Sequence, residues 1–222
     1  MKLSILTCLL TLVVIVNAKL VMIIRHGEKI SDDYTDLSPK GKTRAYCLVN
    51  NFCPKSNRKK QSTRPKDTVE PLAEALGIQV DLSYTSGQIK KLTNYIISSS
   101  DEVTLVSWNN DKIPEIAEKL GITNPPDWDN DTFDEIWMVY DSATTSYYNS
   151  NNNSVAKRAV YSGTDGFSME IVKQNINDCI SENFSLFNVA SSSSSSSSSQ
   201  TSSNTSDSSS QKASIYVMEF KG

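Results

Sequence analysis

The chain has 222 residues, with 22 Lys and Arg against 25 Asp and Glu, so its formal net charge is −3. That mild acidity leaves no electrostatic case for nucleic acid or an anionic membrane as partner. The length suits one well-buried α/β domain; no internal repeat and no second core is visible.

Residues 1–18 read as a secretory signal. Lys2 gives the positive start, residues 3–16 are almost wholly apolar, and Val16-Asn17-Ala18 ends on the small residue that cleavage requires. The apolar run is shorter than the roughly 20 residues of a spanning helix and abuts Lys19 without a linker. Its removal takes only Lys2 among the charges, so −3 becomes −4. The expectation is a secreted protein with no membrane span after cleavage.

Residues 20–24, Leu20-Val21-Met22-Ile23-Ile24, predict a buried strand with Arg25-His26-Gly27 at its carboxyl end. Ser38 is placed to cap a helix starting at Pro39, with Ala45, Leu48, Val49 and Phe52 at helical spacing. The basic stretch 55–60 reads as a solvated loop, with a phosphate-attracting rim as the alternative. A second helix follows Arg64 and runs to Leu76, capped by Asp67 or Thr68 and stopped by Gly77. Residues 78–84 read as strand, 86–98 as a helix turning Ile89, Leu92 and Ile96 inward, and 103–108 as the next strand. Asp111 is a candidate cap for a helix whose Ile113, Ile116, Ala117 and Leu120 share one face, closed by Gly121. Residues 133–140 are another strand. The alternation predicts an α/β fold, a mostly parallel sheet with helices on both faces.

Beyond Ser142 the pattern weakens. Residues 159–167 suggest a short strand and turn, and 169–180 a helix. The tract 191–212 is nearly all serine and predicts disorder, since it offers too little apolar surface to offset the entropy of ordering. Residues 213–220 have strand character and either return as an edge strand or end a tail. The folded domain is therefore expected over 19–190, with 191–212 disordered and 213–222 a C-terminal edge strand.

Cys8 leaves with the signal, so Cys47, Cys53 and Cys179 remain. An oxidising compartment allows one disulfide among them and leaves one cysteine over. No spacing resembles a metal site, and no cofactor is implied. Asn130, Asn152, Asn183 and Asn204 each begin an Asn-X-Ser/Thr acceptor pattern, which chance also produces in so Asn- and Ser-rich a chain.

His26 is the sole histidine. With Arg25 before it and Arg64 opening the second helix, it suits a phosphoryl group: guanidinium forks match phosphate oxygens, and an imidazole nitrogen can attack phosphorus. Gly27 lets backbone approach a ligand. By itself Arg-His-Gly recurs by chance; the ordered set of motifs carries more. Residues 21–29, then Leu37-Ser38-Pro39-Lys40-Gly41-Lys42-Thr43-Arg44-Ala45, then 64–73, then Leu105-Val106-Ser107-Trp108 through Ile113-Pro114, and Trp128 with 133–137, follow in order. Over about residues 20–140 the chain resembles the histidine phosphatase superfamily (phosphoglycerate mutase-like), in particular its secreted fungal-type members.

The resemblance implies a phosphoglycerate mutase-like fold, His26 as phosphate-accepting nucleophile, and Arg25 and Arg64 as phosphoryl clamps. It also implies a second histidine after the strand ending in Trp108. Asn110 stands in that slot, or Asn109 if the register slips by one. An amide donates but carries no charge, and losing one preorganised donor slows such chemistry about 10²- to 10³-fold. A slow phosphatase survives this reasoning and a fast one does not. The general acid is unassigned, with Glu28 and Asp111 as weak candidates. The expected partner is a small phosphorylated substrate or phosphate itself. The rival expectation is an inactive pseudophosphatase, a secreted anion-binding or interaction protein. A glycolytic mutase role conflicts with an export signal.

Overall fold

The computed structural model describes residues 19–31, 33–52, 64–141, 160–164, 166–188 and 213–218. The signal segment, Cys53, the basic stretch 55–60 and the serine tract lie outside these residues. β1 (Leu20–Arg25) is buried on both faces, as its unbroken apolar run requires of an interior strand. After it come α1 (Pro39–Phe52), α2 (Arg64–Leu76), β2 (Val80–Tyr84), α3 (Ile89–Ser98), β3 (Val103–Trp108) and α4 (Ile113–Lys119). β4 (Glu135–Tyr140), β5 (Val160–Ser162), β6 (Ser168–Lys173), α5 (Asn177–Asn188) and β7 (Ala213–Met218) complete the described elements.

The strands form one mixed sheet in the order β2-β7-β3-β1-β4-β6-β5. β2, β7, β3 and β1 run parallel, whereas β4, β6 and β5 add antiparallel. The expectation of a mostly parallel sheet therefore holds for the strands around β1 and β3 and fails beyond β1. Val21 and Ile23 face α3 and α4 in a core with Leu92, Ile96, Ile113 and Ile116. Ile24 faces the opposite core, with Leu48, Val49, Val69, Leu72 and Ile180 from α1, α2 and α5. Helices thus cover both faces.

Three expectations need correction. Residues 169–180 are not one helix: β6 pairs with β4 along its length, and α5 begins only after Asn175, whose φ of 53° interrupts the chain. Met169, Val172, Ile176 and Ile180 fit helical spacing, which is why pattern alone misassigns them, although in β6 Met169 and Val172 face opposite cores. The C-terminal strand is not an edge: β7 lies between β3 and β2, with Ile215 in one core and Tyr216 in the other. The folded unit consequently extends past 190 to include β7.

Cys47 of α1 is bonded to Cys179 of α5, with Cα atoms 5.8 Å apart and a sequence separation of 132. Cys47 is fully buried beside Leu48. Among the described residues no helix is long and apolar enough to cross a membrane. Cross-linking so long a loop restricts the unfolded chain. Replacing Cys47 and Cys179 together by Ser is expected to lower stability by about 2–5 kcal/mol, seen as a lower urea midpoint; an unchanged midpoint would contradict it.

Candidate active site

His26 continues β1 one residue past the strand: its amide donates to the Trp108 carbonyl at 3.1 Å. The turn that follows is held from two sides. The Gly27 amide donates to Thr68 Oγ1 at 2.8 Å, and that hydroxyl donates to the Arg64 carbonyl at 2.7 Å. The Ser38 amide donates to the Glu28 carbonyl at 2.8 Å, and the Gly41 amide donates to Ser38 Oγ at 3.1 Å, the expected cap of α1. A Cβ on Gly41 would collide with the Glu28 backbone, and one on Gly27 would lie 3.1 Å from the Gly41 carbonyl oxygen. These two glycines are required by close approach of two chain segments.

The expected cap of α2 by Asp67 or Thr68 is wrong. The helix starts at Arg64, and Thr68 spends its hydroxyl on the Arg64 carbonyl and the Gly27 amide. The same contact that misplaces the cap brings Arg64 to the His26 turn.

His26 is 5% exposed and its Nδ1 lies 2.8 Å from the Gly27 carbonyl oxygen. A carbonyl only accepts, so Nδ1 carries the hydrogen and Nε2 keeps its lone pair. Burial pushes the imidazole pKa down from 6.5 to about 4. The Gly27 hydrogen bond opposes this, while the positive charges of Arg64, Arg25 and Lys29 add to it. At neutral pH the ring is uncharged.

Arg25 is buried, with its guanidinium 3.8 Å from the centre of the Phe133 ring. Its Nη1 donates to the carbonyls of Asp129, Asn130 and Thr132, the Asn130 contact being the shortest at 2.5 Å. Its Nε is buried without a partner among the described residues. Burial lowers the guanidinium pKa, against the raising effect of Glu28, Asp131 and Asp129. Arg25 therefore anchors the 129–132 turn with one nitrogen of its fork. The expected clamp is at the site, but part of it is already occupied.

Glu28 is unsuited to act as an acid. Arg44 grips both its oxygens, Nε at 3.0 Å and Nη2 at 2.7 Å, and donates from Nη1 to Gln174 Oε1 at 3.1 Å. Burial would raise the Glu28 pKa, but the hydrogen bond and charge of Arg44 outweigh it and hold the carboxyl below its usual range. Asp111 is exposed within the 3₁₀ turn Asn110–Lys112 and supplies no side-chain cap to α4, contrary to expectation.

Asn110 stands two residues beyond Trp108, at the strand end that carries His26, because β1 and β3 pair in register Arg25 to Trp108. Its Nδ2 donates to Asn130 Oδ1 at 2.7 Å. Sequence reasoning missed the 129–132 turn altogether. The signal was there: Asp129 Oδ1 accepts the Asp131 amide at 2.8 Å, the local bond that Asp and Asn offer in turns. Among the described residues no group of His, Cys, Asp and Glu could hold a metal ion. No protein-family model matches the chain, and no curated protein matches it.

Because His26 is the only histidine, its ring gives one assignable NMR titration, expected to have its midpoint near pH 4. The folded pKa is depressed, so the stability contributed by the neutral ring is complete above about pH 6.5 and is lost as pH falls toward 4. The change amounts to about 3 kcal/mol, and His26→Gln is expected to flatten the urea midpoint across that window. A midpoint near 6.5 would contradict the burial assigned to this ring.

Proposed function

We propose that the chain is a secreted member of the histidine phosphatase superfamily, with a phosphoglycerate mutase-like fold, and that it hydrolyses small phosphomonoesters slowly through a phosphohistidine at His26. The observation that carries this reading is the neutral imidazole with its Nε2 lone pair available, set among the charges of Arg64, Arg25 and Lys29. The ordered motifs of the sequence support it, as does the meeting of the start of α1 and Thr68 of α2 at the Gly27-Glu28 turn.

In the reaction, Nε2 attacks phosphorus, the N–P bond forms, and the P–O bond to the alcohol breaks with its electron pair leaving on oxygen. Water then attacks the phosphohistidine, the N–P bond breaks, and phosphate departs while Nε2 regains its lone pair. Arg64 and Arg25 offset the phosphoryl charge. Asn110 replaces the second imidazole as an uncharged donor and lowers the rate about 10²- to 10³-fold. Since Glu28 is locked as a carboxylate by Arg44, aryl phosphates, whose phenolates leave without a proton, are better substrates than alkyl phosphates by about 10²-fold or more.

A second reading has its own observation. Asn110 is engaged with Asn130 and one Arg25 nitrogen with the 129–132 carbonyls, an arrangement that suits holding an anion without turning it over. The deciding measurement is p-nitrophenyl phosphate turnover between pH 5 and 8, where His26 is neutral. The proposal expects turnover that His26→Ala abolishes and that Asn110→His raises about 10²-fold. A silent parent with an active Asn110→His establishes the second reading, and silence in both sinks the phosphatase assignment.

A further inference from the structure

We propose that Asn130 carries an N-linked oligosaccharide and that this sugar roofs the strand end carrying His26, admitting small phosphoesters and excluding phosphorylated proteins. The Asn130-Asp131-Thr132 acceptor sits in an exposed turn. It is fastened to the candidate site at two points: the Asn130 carbonyl accepts from Arg25 Nη1, and its side-chain Oδ1 accepts from Asn110 Nδ2 at 2.7 Å. Both contacts use oxygens. Among the described residues Asn130 Nδ2 donates to nothing, so the atom that bears the sugar is available while the atom that ties the turn to Asn110 stays an acceptor after linkage.

The other acceptor among the described residues differs. Asn183 lies within α5 and donates its Nδ2 to the Cys179 carbonyl at 2.9 Å. Access to the modifying enzyme follows from the export-type segment 1–18, and the Cys47–Cys179 disulfide suits the same oxidising compartment. The donor is a lipid-pyrophosphate-linked oligosaccharide. The bond from Nδ2 to the sugar C1 forms, the bond from C1 to the pyrophosphate oxygen breaks, and Nδ2 gives up one proton. The first sugar then stands one side-chain contact from Asn110, at the strand end that carries His26. The size-selection half of the inference rests on the proposed phosphatase reading; occupancy and shielding do not.

The test uses the full chain secreted from yeast. Peptide mapping is expected to find glycan on Asn130, retained in Thr132→Ser and lost in Thr132→Ala; a bare Asn130 in the secreted protein overturns the proposal. Shielding is read without catalysis, from broadening of the single His26 ring resonance by a soluble gadolinium chelate. Trimming the glycan to one N-acetylglucosamine with an endoglycosidase, with no residue changed, is expected to increase that broadening. Unchanged broadening overturns the roof even if the sugar is present. In parallel, trimming is expected to raise phosphoserine-peptide hydrolysis relative to p-nitrophenyl phosphate by about tenfold. If neither ester is turned over, the phosphatase reading fails, while occupancy and broadening still decide the roof.

Discussion

The close approach of the Gly27-Glu28 backbone to Gly41 is the contact on which the site depends. No side chain fits at Gly41 without displacing Glu28. Displacing Glu28 would break the bond from the Ser38 amide, which fixes α1 against the turn, and would loosen the Arg44 grip on the carboxylate. Thr68 holds the same turn from the other side through the Gly27 amide. The His26 turn is thus held between the start of α1 and Thr68 of α2, and the dipole of a helix favours negative charge near its N-terminus. The geometry suits an anion before any side chain is considered.

Much of this was legible in the residues. Local signals placed β1, α1, α3 and β3 well, because each has a clear apolar pattern, and α1 adds the Ser38 cap and Pro39. Gly77 and Gly121 close α2 and α4 with φ of 67° and 104°, as their positions after the last apolar residue suggested. The carboxyl-edge location of Arg25 and His26 followed from the same logic. What escaped was non-local. Whether Ala213–Met218 sits at the edge or between β3 and β2 depends on strand order, which no short window encodes. The antiparallel addition of β4 to β1 likewise has no signature in β4 itself.

The 129–132 turn is the more instructive miss. Arg25 reads as a ligand clamp from its neighbours in sequence, yet its Nη1 reaches across more than a hundred residues to three backbone carbonyls. A buried guanidinium needs partners for its donors; the chain supplies them to Nη1 from its own backbone, and Nε has none among the described residues. Arg25 is therefore at once a neighbour of His26 and part of the frame. The Asn110–Asn130 contact has the same double character, since it ties the turn after β3 to the turn that Arg25 anchors.

These commitments bear on how the pocket treats a phosphate. Burial, more than neighbouring charge, keeps His26 neutral; Arg64, Arg25 and Lys29 add to an effect already present. On the proposed reading, a phosphate dianion beside His26 offsets those cations and itself favours the protonated ring, while burial continues to oppose protonation. The effect of burial stays as long as the ring is enclosed, and the Gly27 carbonyl still holds the hydrogen on Nδ1. On that reading binding need not protonate Nε2. On the proposed phosphatase reading, what the site lacks among the described residues is charge that grows in effect as the phosphoryl group transfers. A second imidazolium would supply it at the end of β3, where this chain has an amide already bonded to Asn130. Ground-state attraction survives that replacement, whereas selective stabilisation of the transition state does not. On that reading the balance between binding an anion and turning one over is set at Asn110, more than at His26 or the two arginines.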